Sequence, residues 1–170
     1  MFSLSKIKVK KRGLGVVELD EFLNYFQADL FIPELNATTK EELLTEMVNY
    51  LAAHRNLKDT QLILEMLKHR EDLGSTGIGY GIAIPHGRTL SVSELLVVFG
   101  KTTKGVDFDA IDSQPVHLIF MIVAPPQEQS NVYLPFLGKL VELLKTPGVR
   151  EQLQEATTFQ EFISIFSGEF

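Results

Sequence analysis

Arg70-Glu71-Asp72-Leu73-Gly74-Ser75-Thr76-Gly77-Ile78-Gly79-Tyr80-Gly81-Ile82-Ala83-Ile84-Pro85-His86-Gly87-Arg88 is the stretch from which the fold and chemistry of this chain are most directly read. Its glycines lead into a short apolar segment, Ile82-Ala83-Ile84, which stops at a proline followed at once by histidine and glycine. Proline has no N–H to give a sheet ladder, so Pro85 is expected to end a strand and to fix the local φ. His86 then stands at a strand exit, between a rigid residue and a flexible one, where its ring can meet another molecule. Gly74, Gly77, Gly79 and Gly81 before it and Gly87 after it allow close backbone approach and offer amide N–H groups to an anion. A neutral imidazole is nucleophilic near neutrality, its ordinary pKa being about 6.5. A histidine beside anion-binding backbone is what a transient phosphohistidine requires.

Outward from this stretch, the apolar pattern supplies the layers. Residues 17–31 mix apolar and acidic side chains and read as a helix followed by a strand. Thr38 with Glu41, and Thr39 with Glu42, both have capping-box spacing. Leu43, Leu44, Met47, Val48 and Leu51 then repeat at helical period as far as His54. A second helix over residues 59–70 buries Leu62, Ile63, Leu64, Met66 and Leu67 and delivers Arg70 to the glycine segment. Strands are expected at 82–84, 94–101 and 116–124, the last apolar on both faces and therefore central. Helices follow over 131–144, from Thr146-Pro147, and from Thr158 capped with Glu161. Helices, then strands, then helices predict an α/β fold, a three-layer α/β/α sandwich with a central mixed sheet.

The 170 residues, 45% hydrophobic and 22% charged, suit one soluble domain with a full core. Cysteine is absent, which excludes disulfides, a thiolate nucleophile and cysteine metal sites, and fits a cytoplasmic location. The longest uninterrupted apolar run, 118–124, is strand-sized, and the first residues lack the apolar core of a secretory leader; no membrane insertion is expected. Lys6, Lys8, Lys10, Lys11 and Arg12 mark residues 1–16 as a basic tail before a single domain over 17–170. Removing those five charges from the formal −6 leaves the rest at −11. Such a body repels a phosphate backbone, so nucleic acid is not an expected partner.

Other chemistries fail on their spacing. Gly77-Ile78-Gly79-Tyr80-Gly81 begins like a dinucleotide fingerprint, but Ile82 stands where a small residue is needed and a strand follows instead of a helix. No phosphate-loop lysine–hydroxyl pair, nucleophile elbow or zinc spacing is present. Asp107, Asp109 and Asp112 lack the glycine and closing glutamate of a calcium loop and read as a turn. No metal and no cofactor is expected. His54 and His69 fall near helix C-termini, where a histidine meets the dipole, and His117 falls inside an apolar strand.

Gly74-Ser75-Thr76-Gly77-Ile78-Gly79 with Gly81-Ile82-Ala83-Ile84-Pro85-His86-Gly87 resembles the active-site signature of the fructose/mannitol-type (type 2) enzyme IIA domains of the bacterial phosphotransferase system, nearest to the nitrogen-regulatory branch. Phe108-Asp109-Ala110-Ile111-Asp112-Ser113-Gln114-Pro115-Val116 also resembles that family, as does Tyr133-Leu134 with Leu137, Leu140 and Leu144. The resemblance spans residues 20–168 and implies the same sandwich.

It further implies a phosphotransferase component whose His86 accepts a phosphoryl group from a phosphohistidine carrier protein of the HPr or NPr type. Arg70 matches the arginine that opens the family's active-site segment, and its fork suits phosphoryl oxygens. Ser75 and Thr76 are candidate hydroxyl donors to the phosphate, and Arg88 a candidate contact to a partner. In many relatives the helix after the third strand opens with a histidine facing the phosphorylated one. The matching position here is Tyr133, whose hydroxyl can donate but cannot carry positive charge. Phospho-His86 is then expected to switch binding to regulated target proteins, signalling nitrogen, carbon or potassium status. The alternatives are onward transfer to a IIB partner in fructose/mannitol-type uptake, and a degenerate IIA-like binding module that is not phosphorylated.

Overall fold

The computed structural model describes residues 17–128 and 130–168; the basic tail expected at 1–16 lies outside the described residues. In chain order the elements are α1 (Leu19–Asn24), a single 3-10 turn (Ala28–Leu30), β1 (Phe31–Ile32), α2 (Lys40–Arg55), α3 (Thr60–Asp72), β2 (Gly77–Gly79), β3 (Ile82–Ala83), β4 (His86–Arg88), β5 (Leu96–Val106), β6 (Val116–Ala124), α4 (Tyr133–Leu144), α5 (Val149–Glu155) and α6 (Phe159–Ser167). The six strands form one sheet in the order β1-β5-β6-β3-β2, with β4 also on β6. β1 with β5, and β3 and β4 with β6, run parallel; β5–β6 and β2–β3 run antiparallel. The sheet is mixed, as expected.

β6 carries both layers. Side chains alternate across a strand, so Leu118, Phe120 and Ile122 pack with Phe22, Phe136, Leu140, Leu153 and Phe162 from α1, α4, α5 and α6. Ile119, Met121 and Val123 pack with Leu43, Met47, Leu51, Ile63 and Leu67 from α2 and α3. Two cores, one on each face, make this the three-layer α/β/α sandwich.

Helix starts follow the capping chemistry. Thr39 is the N-cap of α2, its hydroxyl accepting from the Glu42 N–H at 3.2 Å, while the Glu42 carboxylate accepts from the Thr38 N–H and hydroxyl at 3.0 Å each. Thr158 and Glu161 repeat the arrangement at α6. The expected start at Thr146-Pro147 is corrected: α5 begins at Val149, after Gly148 at φ +85°. Thr146 still donates its N–H to Leu143 and so finishes α4 before the chain turns. Lys101 of β5 is buried, and its ammonium donates to the Gln154 carbonyl and, at 2.6 Å, to that of Ala156. That cation closes the C-terminus of α5, where orphan carbonyls and the dipole favour it.

The largest correction concerns Pro85. β3 does stop before Pro85, at Ala83, but the chain rejoins β6 at His86. Ile82 and Ala83 pair with Leu118 and Ile119, and His86, Gly87 and Arg88 pair with Ile122, Val123 and Ala124. The offset is the same before and after the proline, so β3 and β4 are one line of chain that loses a donor at Pro85 while its carbonyl still accepts from the Ile122 N–H at 2.9 Å. His86 therefore sits within an interrupted strand and not at its exit. β2, read from sequence as glycine loop, is a short antiparallel partner of β3.

Gly87 faces the α3 layer, and a Cβ there would lie 2.0 Å from the Met66 sulfur. Its missing side chain lets α3 lie against β4, one helical turn before Arg70. Gly87→Val is expected to cost about 1–3 kcal/mol through overpacking, read as a lower urea midpoint with an unchanged slope; an unchanged midpoint would show that α3 yields freely.

Candidate active site at the interrupted strand

His86 is half-buried, and its pairing with Ile122 turns its ring toward the α4 side of the sheet. Its Nδ1 lies 2.6 Å from the Ile84 carbonyl oxygen, two residues back across the proline. A carbonyl only accepts, so Nδ1 carries the proton and Nε2 of the neutral ring keeps the lone pair. Burial pushes the ring's pKa below the usual histidine value, and the Arg70 charge acts in the same direction; the Ile84 hydrogen bond and Glu71 oppose them. The net shift favours the neutral ring, in which Nε2 keeps its lone pair.

Arg70 lies in the last turn of α3, and its Nη1 donates to the Gly74 carbonyl at 2.7 Å, which ties the guanidinium to the start of the glycine segment. α3 belongs to one layer and α4 to the other, so His86 is met from both sides of the sheet. The turn beneath is held by Glu71, which sequence reasoning missed. Its buried carboxylate accepts from the Thr76 N–H at 2.9 Å and from the Thr76 hydroxyl, and it pairs with the Lys40 ammonium at 3.0 Å. An acid in the last turn of a helix opposes the dipole; that anomaly was the available signal.

Ser75 and Thr76, expected as hydroxyl donors to phosphate, have their hydroxyls engaged within the protein. The Ser75 hydroxyl donates to the Phe108 carbonyl at 2.7 Å and accepts the Gly77 N–H at 3.1 Å. Thr76 is buried with its hydroxyl on Glu71. Both protons are spent inside the protein. Lys40 also donates to the Phe108 carbonyl at 3.3 Å and lies 4.5 Å from the centre of the Phe108 ring. The 108–116 segment, singled out in the sequence, thus braces the turn below the histidine.

Tyr133 opens α4 and is buried, its ring centre 6.3 Å from that of His86. Burial pushes its phenol pKa up to about 12, against the lowering influence of Arg88 and Arg70. The Arg88 guanidinium lies over the Tyr133 ring, 4.5 Å from its centre, and its Nη1 donates to the Pro126 carbonyl at 2.8 Å. Glu128, also missed, accepts the Tyr133 N–H and so satisfies an orphan donor at the start of α4. Of the sequence-singled residues, then, Tyr133 lies near His86, Arg70 is tied to the glycine segment with its charge felt at the ring, Arg88 lies on Tyr133, and the Ser75 and Thr76 hydroxyls bond within the turn. His117 is structural, its Nδ1 2.9 Å from the Thr102 carbonyl oxygen.

The site thus presents a half-buried histidine whose Nδ1 is engaged by a backbone carbonyl and whose ring lies near that of Tyr133, on a mixed α/β/α sandwich. Residues 24–169 match the family described as phosphoenolpyruvate-dependent sugar phosphotransferase system, EIIA 2, and the chain belongs to that family. It is 40% identical over 133 residues to the PTS system fructose-specific EIIABC component of Bacillus subtilis, covering 78% of this chain but only 21% of that much longer protein. It is 29% identical over 139 residues to a nitrogen regulatory protein of Bradyrhizobium diazoefficiens, covering 82% of this chain and 90% of that one. Among solved structures, nitrogen regulatory protein IIA-Ntr from Neisseria meningitidis superposes with a TM-score of 0.77 at 31% identity, covering 85% of this chain and 97% of the other. Among the described residues no helix is long and apolar enough to cross a membrane.

Because the pKa of His86 is held down, its neutral form is expected to persist to lower pH than in a free histidine of pKa about 6.5. Arg70→Gln removes one downward influence and should move the titration upward. Ring-proton NMR against pH reads both; a midpoint above the free value, or a downward move in the variant, would contradict the electrostatic assignment.

Proposed function

We propose that this chain is a phosphoryl carrier of the phosphotransferase system, charged on His86 by a phosphohistidine carrier protein of the HPr or NPr type, with a regulatory output. The observation that carries the reading is the half-buried His86 ring with its Nδ1 engaged by Ile84, its pKa lowered by burial and by the Arg70 charge. In the transfer, Nε2 attacks the phosphorus of the donor's phosphohistidine. A new N–P bond forms as the donor's N–P bond breaks, and the donor imidazole leaves with the electron pair. Little covalent work is asked of the protein beyond alignment and neutralisation of the equatorial oxygens. Arg70 is the group for that neutralisation, since its fork matches two phosphoryl oxygens. Exposed Leu90 and Leu134, at 90% and 50%, flank Arg88 and Tyr133 in the chain and suit contact with a protein donor.

The regulatory output is supported by the likeness to nitrogen regulatory proteins along most of their length. A second reading, transfer from His86 to a IIB partner in sugar uptake, is favoured by the 40% identity to a fructose-specific component. Adding phospho-HPr and then a fructose-type IIB separates them: retention of the group on His86 supports the regulatory output, and its passage to IIB supports uptake.

Incubation with enzyme I, HPr and labelled phosphoenolpyruvate is expected to give acid-labile label that His86→Ala abolishes without loss of folding. Arg70→Lys keeps the charge but not the fork, and should slow transfer by roughly tenfold. Label on His54, His69 or His117, or persistence in His86→Ala, would overturn the assignment.

A further inference from the structure

Alternate residues of a strand share a face, so His86 and Arg88 project together from β4, with Cα atoms about 6.6 Å apart. Tyr133 lies across both: its ring centre is 6.3 Å from the His86 ring and 4.5 Å from the Arg88 guanidinium. The phenol, with its pKa near 12, stays neutral at any physiological pH and so offers a cation a face and not a charge. Arg88 is always charged. It is an exposed residue, and one N–H on the Pro126 carbonyl leaves its other donors uncommitted among the described residues. The Arg70 and Glu71 charges act on the unphosphorylated His86 ring, and the Arg88 guanidinium rests against the Tyr133 ring.

Phosphorylation changes that balance. A phosphoryl group on Nε2 brings about −1.5 to −2 charges and three acceptor oxygens to a site where Arg70 already spends an N–H on Gly74. Building on the carrier reading, we propose that Arg88 is the second phosphoryl-binding residue of this site. Tyr133 is its positioning residue: the ring holds the guanidinium beside His86 until the phosphoryl group arrives, and Arg88 then takes an equatorial oxygen alongside Arg70. Sequence reasoning gave Arg88 to a partner; the stack gives it to the phosphoryl group. The cation that a tyrosine cannot supply comes from the strand and not from α4.

Equilibrium phosphorylation distinguishes the two roles, because a residue that only contacts the donor changes the rate of transfer and not its equilibrium constant. The phosphorylated fraction is measured at fixed ratios of phosphorylated to free HPr, using the full chain. Arg88→Gln should shift the equilibrium about tenfold toward the donor, the scale of one hydrogen bond to a charged group. Arg88→Lys, keeping charge and stacking, should recover part of it. Tyr133→Leu, which removes the ring, should shift it several-fold and add little to Arg88→Gln in the double variant; Tyr133→Phe should shift it less than Tyr133→Leu. An unchanged equilibrium constant in Arg88→Gln with slower labelling would overturn the inference and return Arg88 to partner contact. An equal shift in Tyr133→Phe and Tyr133→Leu would overturn it by making the hydroxyl the donor. If the parent chain takes no acid-labile label, the carrier reading fails and this inference with it, whereas normal labelling with an unmoved Arg88→Gln equilibrium defeats this inference alone.

Discussion

One unbroken register against β6 carries the chain through Pro85, and the site depends on it. Because the offset is kept, His86 falls opposite Ile122 with its ring toward α4, and Gly87 falls opposite Val123 where α3 must come close. A slip of one residue would exchange the two faces. His86 would then point at Met66, and Arg88 would leave Tyr133. The proline costs one ladder donor and in return holds Ile84 and His86 so that a carbonyl and a ring nitrogen two residues apart meet at 2.6 Å. That local bond chooses the tautomer.

Electrostatics divide the surroundings into an inner polar brace and a cationic rim. Below the histidine, the buried Glu71 and Thr76 and the half-buried Lys40 form a polar knot joining α2, α3 and the glycine turn. Removing Lys40 would leave the Glu71 carboxylate buried without its counter-charge, so the knot enforces geometry. Ser75 and the Phe108 carbonyl extend the same brace to the 108–116 segment. Above it, Arg70 and Arg88 keep their guanidinium groups at the rim, each tied to a backbone carbonyl by one Nη1.

Legibility in the sequence followed how local each signal was. β6 was readable from apolar residues on both faces, α2 and α6 from a threonine three residues before a glutamate, and His86 from its proline and glycine neighbours. Family likeness added Arg70 and the place of Tyr133. Continuity through Pro85 was not readable, because a ladder's register belongs to the partner strand. Ser75 and Thr76 looked free because their acceptors, the Phe108 carbonyl and the Glu71 carboxylate, come to them only in the folded turn. The Arg88 stack was hidden for the same reason: α4 must cross the sheet before Tyr133 reaches β4. At α5 a proline two residues early mimicked a start that Gly148 actually sets.

Ring-nitrogen NMR of the phosphorylated chain, with its histidines labelled with nitrogen-15, tests the central claim most directly, since it tells which nitrogen of His86 bears the phosphorus. The Ile84 carbonyl holds the Nδ1 proton, so the phosphorus should couple to Nε2, with Nδ1 remaining protonated and bonded. Phosphorus on Nδ1 would require that hydrogen bond to break, and would contradict the account of how the interrupted strand prepares its histidine.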